Sequence, residues 1–180
     1  GKYMYADTIV IATDGPETSR LLGMPAPRES KTEHCLYFSA LTPPVTRPFL
    51  ILNGQGKGLV NNVAVPTLNA PAYSQTHKHL VAAVVLKEIS MEDEALVHAV
   101  RQELVDWFGE TAKEWEHIRT YRIGHALPDQ SPPLPDPTKG FTRINKGLYA
   151  IGEYESVPGI QWALRSGRMA AEQIIREKAI

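Results

Sequence analysis

The chain has 180 residues, 43% of them hydrophobic, with a formal net charge of -1 and a single cysteine. That length allows one sizeable core or two small ones. The near-neutral charge gives no electrostatic basis for binding nucleic acid or an acidic membrane surface, and one cysteine, Cys35, excludes an internal disulfide. No apolar run approaches the length of a bilayer and no signal peptide is visible, so a soluble cytoplasmic protein is expected.

In chain order, Tyr5 to Ala12 is a β-branched run with almost no alternation, the pattern of an interior parallel strand that needs a neighbour on each side. Thr13-Asp14-Gly15-Pro16-Glu17 turns into a short helix, Glu17 to Leu22, with Asp14 or Gly15 near its cap and Pro16 in its first turn. Gly23 to Lys31 carries two prolines and reads as a connector. Glu33 to Leu41, Pro48 to Asn53 and Leu59 to Val65 are β-rich segments separated by proline or glycine clusters, which predicts consecutive antiparallel strands. Gly54-Gln55-Gly56-Lys57-Gly58 has no helix after it, so a hairpin turn is expected there and not a phosphate loop.

Thr67 to Lys78 is expected as a loop and His79 to Leu86 as another buried strand. Glu92 to Phe108 places Ala95, Leu96, Ala99, Val100, Leu104 and Trp107 at helical spacing, with acidic residues in the first turn and Gly109 beyond the end. Glu116 to Ala126 reads as a strand with exposed charge, and Pro128 to Pro137, which holds five prolines, as a constrained loop.

The tail concentrates the signals. Leu148 to Ile151 is an apolar run opened by Gly147 and closed by Gly152, with Glu153 directly after it, which reads as a buried strand ending at a ligand edge. Beyond Val157-Pro158-Gly159, residues Ile160, Ala163, Leu164, Gly167, Ala170, Ala171, Ile174 and Ile175 recur at helical spacing, and that face is expected to press onto a sheet. A strand end, a carboxylate and a helix start at one edge make a site for something phosphorylated or carbonyl-rich, because unpaired backbone N–H groups gather there.

Tyr149-Ala150-Ile151-Gly152-Glu153, followed by Trp162-Ala163-Leu164-Arg165-Ser166-Gly167-Arg168-Met169-Ala170-Ala171, resembles the closing motif of the flavin-dependent amine oxidases and their relatives, the protoporphyrinogen oxidases and phytoene desaturases. The Ile-Ala-Thr ending of the first strand, with Leu21-Leu22-Gly23 after it, resembles the point where those enzymes leave the cofactor domain. The resemblance implies FAD as cofactor, with Gly152, Glu153, Gly159, Ile160, Gln161, Trp162 and Ala163 on its binding side: Glu153 accepting hydrogen bonds from ribityl hydroxyls, and the first turn of the last helix against the pyrimidine end of the flavin. Tyr154 and Trp162 are the substrate-side candidates, and no catalytic residue is singled out. Three departures stand beside the match. The family has glycine where this chain has Trp162, no lysine matches the one that many amine oxidases hold near the flavin, and the Gly-x-Gly-x-x-Gly of the ADP-binding half is absent.

The fold class that follows is α/β in the mixed α+β sense: a fragment of a Rossmann-type FAD-binding layer plus an antiparallel substrate sheet with a covering helix. Residues 1–23 and 141–180 are assigned to the FAD-binding layer, 32–127 to the substrate domain and 128–140 to a proline-rich connector. The expected function is that of the carboxyl-terminal, substrate-side portion of an FAD-dependent oxidoreductase passing hydride from a small or medium apolar or amine-like substrate to flavin; the fragment alone is expected to bind FAD weakly or not at all and to be inactive. The alternative is a non-catalytic module holding an apolar ligand or a partner protein. No metal site is expected: His77 and His79 form at most a pair, and His34 beside Cys35, and His117 with His125, add no third ligand at recognisable spacing.

Overall fold

The computed structural model describes residues 2–25, 29–133, 136 and 138–179. Its elements are β1 (Ile9–Ile11), α1 (Gly15–Leu22), β2 (Ser30–Ala40), β3 (Ile51–Leu52), β4 (Val60–Ala64), α2 (Pro66–Asn69), β5 (His79–Val85), α3 (Asp93–Phe108), β6 (Glu116–Pro128), β7 (Phe141–Asn145), β8 (Leu148–Ile151) and α4 (Ile160–Lys178). The class is mixed α+β, and the chain divides into two compact units, residues 32–124 and residues 1–31 with 125–180. The expected connector at 128–140 and the one at Gly23 to Lys31 fall partly outside the described residues.

In the 32–124 unit the sheet order is β3-β4-β5-β2-β6, with β3, β4, β5 and β2 successively antiparallel. Alternation sends Leu36 and Phe38 of β2 and Val81, Ala83 and Val85 of β5 to one face. There they meet Leu96, Val100 and Leu104, which recur every fourth residue on α3, and all eight side chains are fully buried. Each of the larger ones contributes about 1.5–3 kcal/mol by leaving water. The helix is specified locally: Glu92 holds the N-cap position in extended backbone without a side-chain bond, Asp93 and Glu94 complement its positive end, and Gly109 at φ 82 stops it.

The glycine cluster is the turn of the β3–β4 hairpin, where the Asn53 side-chain oxygen accepts the N–H groups of Gln55 at 3.1 Å and Gly56 at 3.2 Å. The Glu103 carboxylate accepts N–H groups of Leu59 at 2.7 Å and Val60 at 3.2 Å, and a side chain on Gly58 would run into it. Cys35 is buried, and burial pushes its thiol up. His79 shares a hydrogen bond with the Thr67 hydroxyl, and among the described residues no three potential metal ligands cluster.

In the other unit β1 pairs parallel with β8, Ile9 opposite Leu148 and Ile11 opposite Ala150, and β7 closes the other edge antiparallel. Asp14 caps α1 by accepting the Glu17 N–H at 2.8 Å, and Gly23 in left-handed conformation ends it. Among the described residues no helix is long and apolar enough to cross a membrane.

Four expectations need correction. The first strand is Ile9–Ile11 and not Tyr5 to Ala12; Tyr3, Met4 and Tyr5 are exposed, because β-propensity alone does not order a run that lacks ladder partners. The segment Pro48 to Asn53 yields only Ile51–Leu52, since Pro48 has no N–H to give a ladder. The loop expected at Thr67 to Lys78 contains part of α2 and a 3₁₀ turn at Pro71–Tyr73, each started by a proline at its first position. Strand β7 was not predicted: Phe141-Thr142-Arg143-Ile144-Asn145 is mostly polar and exposed, and pairing across the Lys146-Gly147 turn creates it.

The face that α4 turns inward also differs from the expected one. Ser166 and Ala170 are buried, whereas Ile160 is 80% exposed, Leu164 71% and Ile175 67%. Ser166 accepts the Gly152 N–H at 2.9 Å, and Tyr149 donates to Glu177 at 2.7 Å. Hydrogen bonds to the strand thus outweigh apolar periodicity in setting the rotation of this helix.

Candidate functional site

Because β1 and β8 are parallel, both end at the same edge of the sheet, the side on which open α/β sheets take ligands. From each strand end the chain turns into a helix, α1 after β1 and α4 after β8. Between them lies a cavity of about 210 Å³ lined by Ala12, Thr13, Asp14, Gly15, Gly152, Glu153, Tyr154 and Ala163, with Ser30, His125 and Pro128 at its wall. That volume is short of the roughly 300–1,000 Å³ that encloses a whole drug-sized molecule.

Glu153 begins the 3₁₀ turn that follows Gly152, and its Oε2 accepts the Gly159 N–H at 2.6 Å. The carboxylate therefore sits at the amino-terminal end of α4, where the helix dipole favours it, and it fixes the entry of the helix. Gly159 has φ 145 and ψ 149, a region open in practice to glycine alone, and its carbonyl accepts the N–H groups of Trp162 at 2.9 Å and Ala163 at 3.1 Å.

Tyr154 is 5% exposed and acts as a wedge between the two halves of the edge. A Cβ on Gly152 would overlap the ring outright, so the aromatic packing requires that glycine, and a Cβ on Gly15 would come within a tight 3.3 Å of the ring. The phenol shares a hydrogen bond with Thr18 at 3.1 Å, and Thr18 shares another with Thr13 at 2.8 Å. Burial, the largest influence, pushes the Tyr154 hydroxyl up, and the Thr18 bond partly offsets it. One residue on, burial raises the Glu155 carboxyl, while the Thr142 hydroxyl, donating at 2.8 Å, opposes that shift.

Of the residues singled out from sequence, Gly152, Glu153, Tyr154 and Ala163 line this cavity, whereas Gly159, Ile160, Gln161 and Trp162 do not. Ile160 points to solvent, and the Trp162 ring lies under the Arg165 guanidinium, 5.3 Å from its centroid. The indole is thus directed along the helix and does not fill the cavity. In sequence Thr13, Asp14 and Gly15 mark only a turn; the parallel pairing of the two strands places them at the site. Ser30 and His125 come from distant parts of the chain, and no local motif marks them. Chemically, Asp14 and Glu153 offer acceptors for hydroxyls, and Thr13, Ser30 and His125 add polar groups at the wall.

No family model matches the chain, and no curated protein matches it. Solved structures do. An oxidoreductase from Methanosarcina mazei superimposes with a TM-score of 0.58 at 14% identity, over 88% of this chain and 37% of that one. A protein assigned as a protoporphyrinogen oxidase, from Exiguobacterium sp. 255-15, superimposes with a TM-score of 0.72 at 17% identity, over 97% of this chain and 42% of that one. At such identities the likeness is one of fold. The chain spans 37% and 42% of the length of these two neighbours.

Proposed function

We propose that the chain is the carboxyl-terminal, substrate-side portion of an FAD-dependent oxidoreductase of the amine oxidase-like group, acting on a small or medium apolar or amine-like substrate. The observation that carries this reading is the shared edge: the ends of parallel β1 and β8, and the starts of α1 and α4, open on one cavity lined by Asp14, Gly152, Glu153 and Ala163. Glu153 and Asp14 would take hydroxyls of the ribityl chain, and Ala163, the one residue of the first turn of α4 that lines the cavity among the described residues, would lie against the ring system. When bound, the flavin supplies the hydride-accepting chemistry. The chain's own part is to hold and orient it: Gly159 fixes Glu153, Ser166 fixes Gly152, and Tyr154 sets the spacing of the two strand-to-helix turns.

The small cavity supports a site for one end of FAD, with the ADP half bound by residues outside this chain. The exposure of Ile9 at 52% and Val10 at 41% supports further strands beside β1. The fold neighbours, an oxidoreductase and an assigned protoporphyrinogen oxidase, lean the same way. A cytoplasmic setting belongs to this reading, a single cysteine being compatible with a reducing compartment. The 180-residue chain by itself is expected to bind FAD weakly and to turn over nothing. Purification of the protein from its complete reading frame tests the proposal: stoichiometric flavin absorbance that bleaches on anaerobic addition of an apolar hydride donor supports it, and a folded, colourless protein contradicts it.

A further inference from the structure

The five-stranded sheet has two apolar faces, and α3 covers only one. Tyr37 of β2 alternates with the buried Leu36 and Phe38, and Leu80 of β5 precedes the buried Val81, so both belong to the opposite face. A solvated sheet face ordinarily carries polar residues. Here Tyr37 and Leu80 join Ile118, 55% exposed, Tyr121, 47% exposed, and Tyr73, 70% exposed, around a groove of about 700 Å³ that also includes Arg119. A neighbouring pocket of about 300 Å³ shares Tyr73, Leu80 and Ile118 and adds the hydroxyls of Ser74 and Thr76.

The groove is preformed and electrostatically one-sided. Its wall at α2 is tied down by the Thr67 hydroxyl, which accepts the Leu80 N–H at 3.1 Å. Tyr37 and Tyr121 meet edge to face, with centroids 5.9 Å apart, and the Arg119 guanidinium lies 5.8 Å from the Tyr121 ring. No aspartate or glutamate lines either pocket. Lys78, at the edge of the smaller one, is paired with Glu116 at 2.7 Å, whereas among the described residues Arg119 has no carboxylate partner. A cation beside aromatic rings, with no acid to balance it, is complementary to an anion that carries a flat apolar body.

We propose that this open sheet face binds a small aromatic carboxylate, its rings laid on Tyr37, Tyr73 and Tyr121 and its carboxylate paired with Arg119. The Tyr37 hydroxyl is pushed up to about 12, chiefly by its hydrogen bond with Cys35 and then by burial, so it stays protonated and adds no negative charge to the groove. Calling this ligand the substrate rests on the flavoprotein reading; its binding to the sheet does not.

The test is calorimetric titration of the protein with 2-naphthoate and, in parallel, with the uncharged 2-naphthylmethanol. Naphthoate is expected to saturate one site and to bind more tightly than the alcohol. Arg119→Gln, a substitution at an exposed position, should weaken naphthoate by about tenfold or more and leave the alcohol unchanged. Tyr121→Leu should weaken both. Failure of naphthoate to saturate, equal affinity for acid and alcohol, or indifference to Arg119→Gln overturns the site. A colourless full-length protein that still binds naphthoate by this rule sustains the site and removes the flavoprotein reading; a yellow one that does not bind naphthoate so leaves that reading standing and overturns the site.

Discussion

The two units of this chain are filled with different materials. Residues 32–124 bury Leu36, Phe38, Val63, Val81, Leu96, Val100 and Leu104 completely, an aliphatic and aromatic core closed by its own helix. The unit of residues 1–31 and 125–180 buries Tyr149, Ala150, Tyr154 and Ala170 together with the hydrogen-bonded hydroxyls of Thr18, Ser19 and Ser166. The first unit is held by hydrophobic burial. The second is held by specific hydrogen bonds and close glycine contacts around the ends of two strands, which suits a site better than a core.

Substitutions should separate the two regimes. Phe38→Ala, which empties a fully buried site beside Trp115 and His117, should cost about 3–5 kcal/mol in a urea titration. Asp14→Ala removes the cap of α1 and should cost about 1 kcal/mol. Tyr154→Phe keeps the wedge and deletes only the bond to Thr18, so a loss of about 0.5–1.5 kcal/mol is expected, with the geometry of the cavity preserved.

Glu155 sharpens the contrast through pH. Burial raises its carboxyl in the folded protein, so the folded state holds the proton more tightly than the unfolded chain. Stability should therefore fall as pH rises from the ordinary carboxylate value through the raised folded value. Glu155→Gln should be more stable than the parent above that window and match it below, as read from melting temperatures across the acid range. At the small end, Ile160→Ala should stay within about 0.5 kcal/mol, since that side chain is 80% exposed; a loss of several kcal/mol would show a hidden partner for the outer face of α4.

How far the sequence could be read follows the same division. Helix α3 was legible almost to the residue, because acidic first turn, four-residue apolar spacing and terminal glycine all agree. Strand β8 with its bounding glycines was equally plain. The rotation of α4 was not, because Ser166 and Glu177 fix it by bonds to Gly152 and Tyr149, which periodicity does not encode. The site was half visible: Gly152, Glu153 and Ala163 carry a motif, while Asp14 and Gly15 join them only through strand pairing, and His125 only through the fold. The open tyrosine face of the sheet left no contiguous trace, since its members lie on β2, β5, β6 and the turn at Tyr73.

The most direct measurement is flavin content of the protein expressed from its complete reading frame, compared with its Gly159→Val variant. Valine cannot hold φ 145 with ψ 149, so the variant should release Glu153 and lose bound flavin. The account predicts one flavin per parent chain and a colourless variant whose 32–124 unit unfolds at the parent's urea concentration. A folded parent without flavin, or a variant that keeps its full complement, would contradict it.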